Sequence, residues 1–173
     1  MNESWVLRTG RLLLTPVAYP DLPDLVALKA DPQVFAVMLG GVRTPERAAE
    51  ELAEDIMFWG ANGVGMWAIR EAASARFLGI TGLHARPEGG DPALRFALVA
   101  SAHGRGFASE AAGAALRFAH ERGRLARVIA VARATNLASR QVLGAIGMTE
   151  YGAYLRDGED VLVYESVRPP HPA

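Results

Sequence analysis

The 173-residue chain contains no cysteine. Disulfides, a thiolate nucleophile and cysteine-ligated zinc are thereby excluded. It has no excess of charge either. With 18 basic and 19 acidic residues the net charge is −1, so no general polyanion-binding surface is implied and nucleic acid is not expected as a partner. No apolar run approaches the roughly 18 residues of a membrane span, and the amino end opens on polar Asn2-Glu3-Ser4. No membrane is expected, and cytoplasm is the expected location. The histidines His84, His103, His120 and His171 lack the His-Glu-x-x-His spacing of a zinc site, so no metal is expected. There is no internal repeat. The length fits one domain on a prior of about 100–200 residues, read as residues 1–168, with the proline-rich residues 169–173 as a flexible tail.

Against these absences one stretch carries chemistry. His103-Gly104-Arg105-Gly106-Phe107-Ala108-Ser109-Glu110 lies between the apolar run Leu94 to Ala100 and the alanine-rich run Ala111 to His120. Two glycines let the backbone turn sharply, so successive N–H groups can converge where a helix begins. The helix start adds about half a positive elementary charge, which suits a phosphate or pyrophosphate. The loop of nucleoside triphosphatases ends in Gly-Lys-Ser/Thr, whereas Phe107-Ala108-Ser109 offers no lysine. A dinucleotide fingerprint is incomplete too, because Ser109 stands at its third glycine. On this motif alone, an ordinary strand-to-helix turn is the alternative.

Downstream, Arg127 to Arg133 reads as a strand rich in β-branched residues. Asn136 then opens a short helix closed by Gly147, after which a new strand begins. Asn136 and Ser139, three apart, share one face of it. Asparagine also caps helices well, so both a cap and a ligand contact are open for Asn136. Upstream, Arg11 to Val17 reads as a strand, and Asp21 as the cap of a helix ended by Asp31-Pro32, with the Lys29 stem on its apolar face. Thr44-Pro45 opens a second helix whose stripe Ala49, Leu52, Ala53, Ile56 and Trp59 runs to Gly60. Met66 to Arg70 and Phe77 to His84 read as a hairpin, and Leu94 to Ala100 as a strand. A long helix from about Ala108 to Arg122 stops at Gly123, and Met148 to Leu155 and Asp160 to Val167 pair around Asp157-Gly158. This order predicts a mixed sheet with helices on both faces, an α/β fold, α+β in some schemes.

Three motifs in order resemble the GNAT superfamily of N-acetyltransferases. The glycine loop is similar to the signature Gln/Arg-x-x-Gly-x-Gly/Ala, with Gly106 and Ala108 at its last two positions and His103 departing from its first. Asn136, opening a helix that ends in Ile146-Gly147-Met148, resembles the second signature. Leu7 to Pro16, with Asp21 and Asp31-Pro32, is similar to the opening of the ribosomal-protein N-acetyltransferase subgroup. The resemblance implies a single domain with a mostly antiparallel central sheet that splays like a V between two central strands. It implies acetyl transfer from acetyl-coenzyme A to a primary amine by direct attack in a ternary complex, the amine belonging to a protein N-terminus, an amino acid or a small amine. The absence of cysteine agrees, since the commonest acyl-carrying nucleophile is missing. A non-catalytic acyl-coenzyme A sensor of the same fold is the alternative reading, and monomer and homodimer are both open.

The resemblance also implies roles. The main chain of His103, Gly104, Arg105, Gly106, Phe107, Ala108 and Ser109 would hold the pyrophosphate, Leu98 and Val99 the pantetheine amides, and Asn136 the pantetheine arm. Many members carry a tyrosine seven residues after this asparagine as general acid, but here it is Leu143. Ser139 matches the serine proposed as acid in the ribosomal subgroup, acting directly or through water. For the base, His84 has an unperturbed pKa near 6.5, against its ordinary reading as a rim residue; Glu71 is a poorer candidate, and water another. Phe35 to Leu39, Trp59, Tyr151 and Tyr154 are expected to wall the acceptor, with a place in the core equally open for each. Arg95, an odd charge in an apolar strand, would bind an acceptor carboxylate or face solvent.

Overall fold

The computed structural model describes residues 2–168, so the expected tail at 169–173 lies outside the described residues. Strands β1 (Leu7–Arg8) and β2 (Leu12–Pro16) lead to helices α1 (Leu22–Ala30), α2 (Pro32–Phe35) and α3 (Pro45–Asn62). Strands β3 (Met66–Glu71), β4 (Phe77–His84) and β5 (Ala93–Leu98) follow, then α4 (Phe107–Glu121), β6 (Arg127–Arg133), α5 (Leu137–Ala145), β7 (Thr149–Arg156) and β8 (Glu159–Val167). All eight strands form one sheet in the order β1-β2-β3-β4-β5-β6-β8-β7. Neighbours are antiparallel except β5 and β6. No helix among the described residues is long and apolar enough to cross a membrane.

Local chemistry explains most boundaries. Thr44 Oγ1 accepts from the Arg47 N–H and Pro45 fills the first helical position, as the sequence predicts for α3. That helix runs through Gly60 and stops at Gly63, which is left-handed at φ 65°. A glycine inside a helix costs only about 1 kcal/mol, and the stop is set by whichever one adopts the left-handed turn. Asp21 does not cap α1. Its carboxylate accepts from the Ala18 N–H and from Arg70 Nη2 at 2.6 Å, tying the chain before the helix to β3. The strand expected to reach Ala100 ends at Leu98 and turns through a short 3-10 segment at Ala100–Ala102. The two-residue β1 is too short to leave a periodic signal.

Strand alternation sorts the sheet into two faces. Trp67, Ile69, Leu94 and Leu98 pack with α4, whose Ala111, Ala112, Ala115 and Ala119 are fully buried and let the helix close onto the sheet. Met66, Ala68, Ile80 and Ala97 pack with α1 and α3 on the other side. A bulge adjusts the phase of β4. Ile69 pairs with Gly79 but Arg70 with Phe77, so Leu78 is the extra residue and turns to the α4 face. Beyond it Ile80, Gly82 and His84 share the face of α1 and α3. Trp59, for which the sequence leaves acceptor wall and core both open, is core. It stacks on Trp5 at 4.8 Å, meets Trp67 edge-on at 4.7 Å, and its Nε1–H donates to the Met66 carbonyl at 2.7 Å.

Between β5 and β6 the register holds at one residue pair, Ala93 with Ile129, where the Ile129 N–H donates to the Pro92 carbonyl at 3.1 Å. β5 is bonded to β4 and β6 to β8 along their lengths. The two strands therefore diverge from that point, and the V-shaped splay is the centre of the molecule.

Candidate active site

The hydrogen-bond phase of β5 decides which main-chain groups face the splay. The Val99 N–H donates to the Leu78 carbonyl at 2.8 Å, and every second residue back along the strand repeats that pairing with β4. Phe96 and Leu98 consequently turn their N–H and C=O groups towards the divergence. Both main-chain groups of Val99 are engaged, since its carbonyl accepts from the Ala102 N–H at 2.9 Å. Of the two residues expected to meet pantetheine, Val99 thus has its main chain taken up within the fold, whereas the Leu98 N–H, like the main chain of Phe96, faces the divergence. His103 Nε2 lies 2.8 Å from the Leu98 carbonyl, so this side chain fastens the glycine loop to the strand end.

The loop itself has the expected conformation. Gly104 and Gly106 sit at φ 74° and 76°, in the left-handed region that favours glycine. Gly106 is the cap of α4 and no side chain satisfies that helix start. The first intrahelical bond runs from the Glu110 N–H to the Gly106 carbonyl, so the N–H groups of Phe107, Ala108 and Ser109 point outward with the helix dipole behind them. The ring of Phe107 is core and carries the Arg11 and Arg105 guanidinium groups at 4.3 and 4.7 Å from its centre. Arg11 Nη1 donates to the Arg105 carbonyl at 2.8 Å and Arg11 Nε pairs with Glu110 at 2.7 Å, which braces the loop from behind.

A cleft of about 590 Å³ follows the splay. His84, Arg95 and Phe96 line one wall; Ala130, Ala132, Asn136, Ser139 and Leu143 line the other. Val37, Met38 and Leu39 close it from the loop after α2, and Tyr154 from β7. His84, Asn136 and Ser139 are therefore brought together, while the glycine loop lies outside this lining. Four of the expected wall residues are absent from it: Phe35, fully buried, Ala36, Trp59 in the core, and Tyr151, which packs under the Arg127 guanidinium at 4.9 Å. Glu71 accepts from Ser74 Oγ at 2.6 Å at the far hairpin and takes no part.

Asn136 does cap α5, its Oδ1 accepting from the Ser139 N–H at 3.2 Å, and its Nδ2 group is left for the cleft. Ser139 Oγ makes no protein hydrogen bond among the described residues. Leu143, 1% exposed, presents only carbon where a phenol would otherwise stand. His84 Nδ1 lies 2.9 Å from the Ala85 carbonyl, so the proton sits there and Nε2 offers its lone pair. Burial first and the Arg95 charge second push its pKa down to about 3, and the ring is neutral at physiological pH.

Beside the cleft lies a charged cluster. Glu51 pairs with Lys29 at 2.6 Å, Arg43 at 2.8 Å and Arg47 at 3.6 Å. Burial raises the Glu51 carboxyl, but Lys29 and Arg43 overcome it and hold the pKa at about 2. The Arg43 N–H also donates to the Lys29 carbonyl at 2.8 Å, and its Nη1 to the Gly41 carbonyl, so the cluster pins the loop that carries Val37 to Leu39. One turn along α3, burial pushes the Asp55 carboxyl up to about 6. The sequence signalled only one member: Lys29, placed on an apolar helix face.

The comparisons agree with this geometry. The family model described as "Acetyltransferase (GNAT) domain" matches residues 11–149. An acetyltransferase from Agrobacterium tumefaciens superposes with a TM-score of 0.83 at 29% identity, over 94% of each chain. The acetyltransferase of Salmonella typhimurium that modifies the N-terminal serine of ribosomal protein L7/L12 gives 0.77 at 21% identity, over 92% of this chain and 96% of that one. A ribosomal L7/L12 alpha-N-protein acetyltransferase in complex with coenzyme A gives 0.77 at 20%, over 94% and 98%. The sheet, its splay and the uncapped glycine loop are those of the acyltransferase class that the family model describes. The chain belongs to the GNAT acetyltransferase family, whose members transfer acetyl groups from acetyl-coenzyme A.

Proposed function

We propose that this chain is an N-acetyltransferase that moves the acetyl group of acetyl-coenzyme A to a primary amine by direct attack. The observation that carries the reading is the continuity of the splay. Donors at the start of α4, the Leu98 N–H and the open main chain of Phe96, and a cleft lined by Asn136 and Ser139 follow one another along it. The N–H groups of Phe107, Ala108 and Ser109 would take the pyrophosphate, with Arg105 beside them. Phe96, Leu98 and Asn136 would hold the pantetheine amides, leaving the thioester between the diverging strands. Holding amine and thioester together supplies the proximity term, and a strand N–H polarises the carbonyl.

Ser139 Oγ stands free on the cleft wall and would protonate the departing thiolate, directly or through water. His84 has a different task from an ordinary base. With a pKa of about 3 it cannot strip a resting alkylammonium, a transfer uphill by about 9–10 kcal/mol for an amine of pKa near 10. Its Nε2 instead receives a hydrogen bond from the free amine. It takes the proton once attack has made that nitrogen far more acidic, and passes it to water.

Calorimetry with acetyl-coenzyme A, followed by thiol release over a panel of amines and peptides with varied first residues, tests the reading. Binding with release on an amine is expected. Binding without release on any acceptor would assign the chain to the sensor class, which Leu143 and the weak basicity of His84 favour. No binding at millimolar ligand would overturn both.

A further inference from the structure

Six arginines line the cleft: Arg43, Arg47, Arg86, Arg95, Arg133 and Arg156. Five have a carboxylate within 4 Å. Arg43 and Arg47 share Glu51, Arg86 meets Glu88, Arg133 meets Glu159, and Arg156 meets Asp157. Arg95 has none, and its guanidinium makes no hydrogen bond to any described residue. It is part-buried in the middle of a strand, where an arginine without a direct partner gives up hydration for no hydrogen bond in return, only the more distant attraction of Glu51 and Asp55.

We propose that the amine acceptor carries a carboxylate, that Arg95 binds it, and that Arg95 thereby selects the acceptor; this rests on the transferase reading above. Position supports it. On β4 and β5, Gly82 is opposite Arg95 and His84 opposite Ala93, all on the face of α1 and α3. His84 and Arg95 are therefore diagonal neighbours, whose Cβ atoms stand no more than about 7–8 Å apart. A spacing of that order lies within the span of a small amino acid or of the first residues of a peptide, so one acceptor can reach both side chains.

Charge supports it as well. The groups facing Arg95 are Glu51, Asp55 and Arg47 from α3, Arg43 from the loop, Lys29 from α1 and His84 from β4. Glu51 already holds three cations. Asp55, its carboxyl pushed up to about 6 by burial but still mostly ionised at neutral pH, acts on Arg95 only at a distance and makes no ion pair with it. Among the described residues the cleft thus offers one arginine without an ion-pair partner, its planar fork of donors fitting one carboxylate better than a dianion.

The test compares acceptors that differ in one group: L-amino acids against their carboxamides, β-alanine against 2-aminoethylphosphonate, and short peptides with Asp against Ala in second place. In the wild-type chain kcat/KM for the acid should exceed that for its amide by about 10–100-fold, the worth of charge-assisted hydrogen bonds. Arg95→Met should collapse that ratio to near one, and Arg95→Lys should keep part of it. Whichever of the amino-acid and peptide arms shows the preference identifies the source of the carboxylate. An acid-to-amide ratio near one in the wild type, its survival in Arg95→Met, or preference for the phosphonate would overturn the proposal. Should Arg95→Met fail to fold, the wild-type ratio still decides. So does thermal protection of the coenzyme A-loaded protein by N-acetylated acids against N-acetylated amides. If acetyl-coenzyme A binds and no amine releases thiol, the transferase reading falls and this one with it, a result distinct from turnover without acid preference.

Discussion

The two ends of the cleft are built from different materials. Towards the glycine loop the groups that can meet a ligand are main-chain N–H donors: those of Phe107, Ala108 and Ser109, then those of Phe96 and Leu98. Towards the loop after α2 they are side chains, His84 and Arg95, set beside the Glu51 cluster. A main-chain site is fixed by backbone conformation and indifferent to most side chains, which suits one unchanging ligand. A side-chain site changes its preference with a single substitution, which suits an acceptor that varies.

That contrast can be broken in several places. Ser139 sits where the ends meet and should be used only in the transition state. Ser139→Ala should therefore lower turnover by about 10²–10⁴-fold with acetyl-coenzyme A affinity nearly intact. A loss below about fivefold in a steady-state assay would assign the proton to water. At the acceptor end, Glu51→Ala leaves Lys29 buried without its partner and should cost about 3–5 kcal/mol in denaturant unfolding. The sign with pH follows from a carboxyl depressed from 4.5 to about 2. Its contribution is complete above 4.5 and is lost as pH falls towards 2, so the variant should show a flatter stability curve across that window.

At the cofactor end, Gly106→Val should weaken acetyl-coenzyme A binding by about 100-fold in calorimetry, through two or more lost charge-assisted bonds. The fold should lose only about 1–2 kcal/mol from a left-handed valine. An added Cβ would find its nearest neighbour, Arg11 Nη2, at an ordinary 3.5 Å, so the damage falls on the ligand. Equal affinity in the variant would place the phosphates elsewhere. The smallest effect belongs to Asp55, whose carboxyl is raised from 3.8 to about 6. That group favours the folded state at low pH, and the contribution disappears as pH rises from 3.8 through 6. Asp55→Asn should thus stabilise the protein at pH 7 by on the order of 1–3 kcal/mol, measured by thermal unfolding. No gain would mean the carboxylate is solvated.

What could be read in advance divides along the same line. The glycine loop and the Asn136 helix were legible because each is local: spacing along the chain fixes the turn, the cap and the shared face. The open main chain of Phe96 was not. It depends on the hydrogen-bond phase of β5 against β4, which the bulge at Leu78 and the pairing of Val99 with Leu78 set, and neither leaves a mark in composition. The sequence leaves Trp59 between core and acceptor wall for a related reason, since an apolar stripe tells which face of a helix is buried but not what covers it. The Glu51 cluster joins α1, α3 and the loop after α2, three segments whose meeting is tertiary; Lys29 alone hinted at it by its position on an apolar face.

The divergence of β5 from β6 has a consequence that concerns time and not only shape. Among strands otherwise bonded on both sides, β5 carries the amides of Phe96 and Leu98 beyond its one aligned pair with β6, with no neighbouring strand to shelter them. These two protons should exchange with solvent much faster than those of Arg95 and Ala97, which pair with Gly82 and Ile80 of β4. Acetyl-coenzyme A would act as the missing strand. Its arrival should slow exchange at those two sites, joining the two halves of the sheet into one cooperative unit whose opening is set by how often the cofactor leaves.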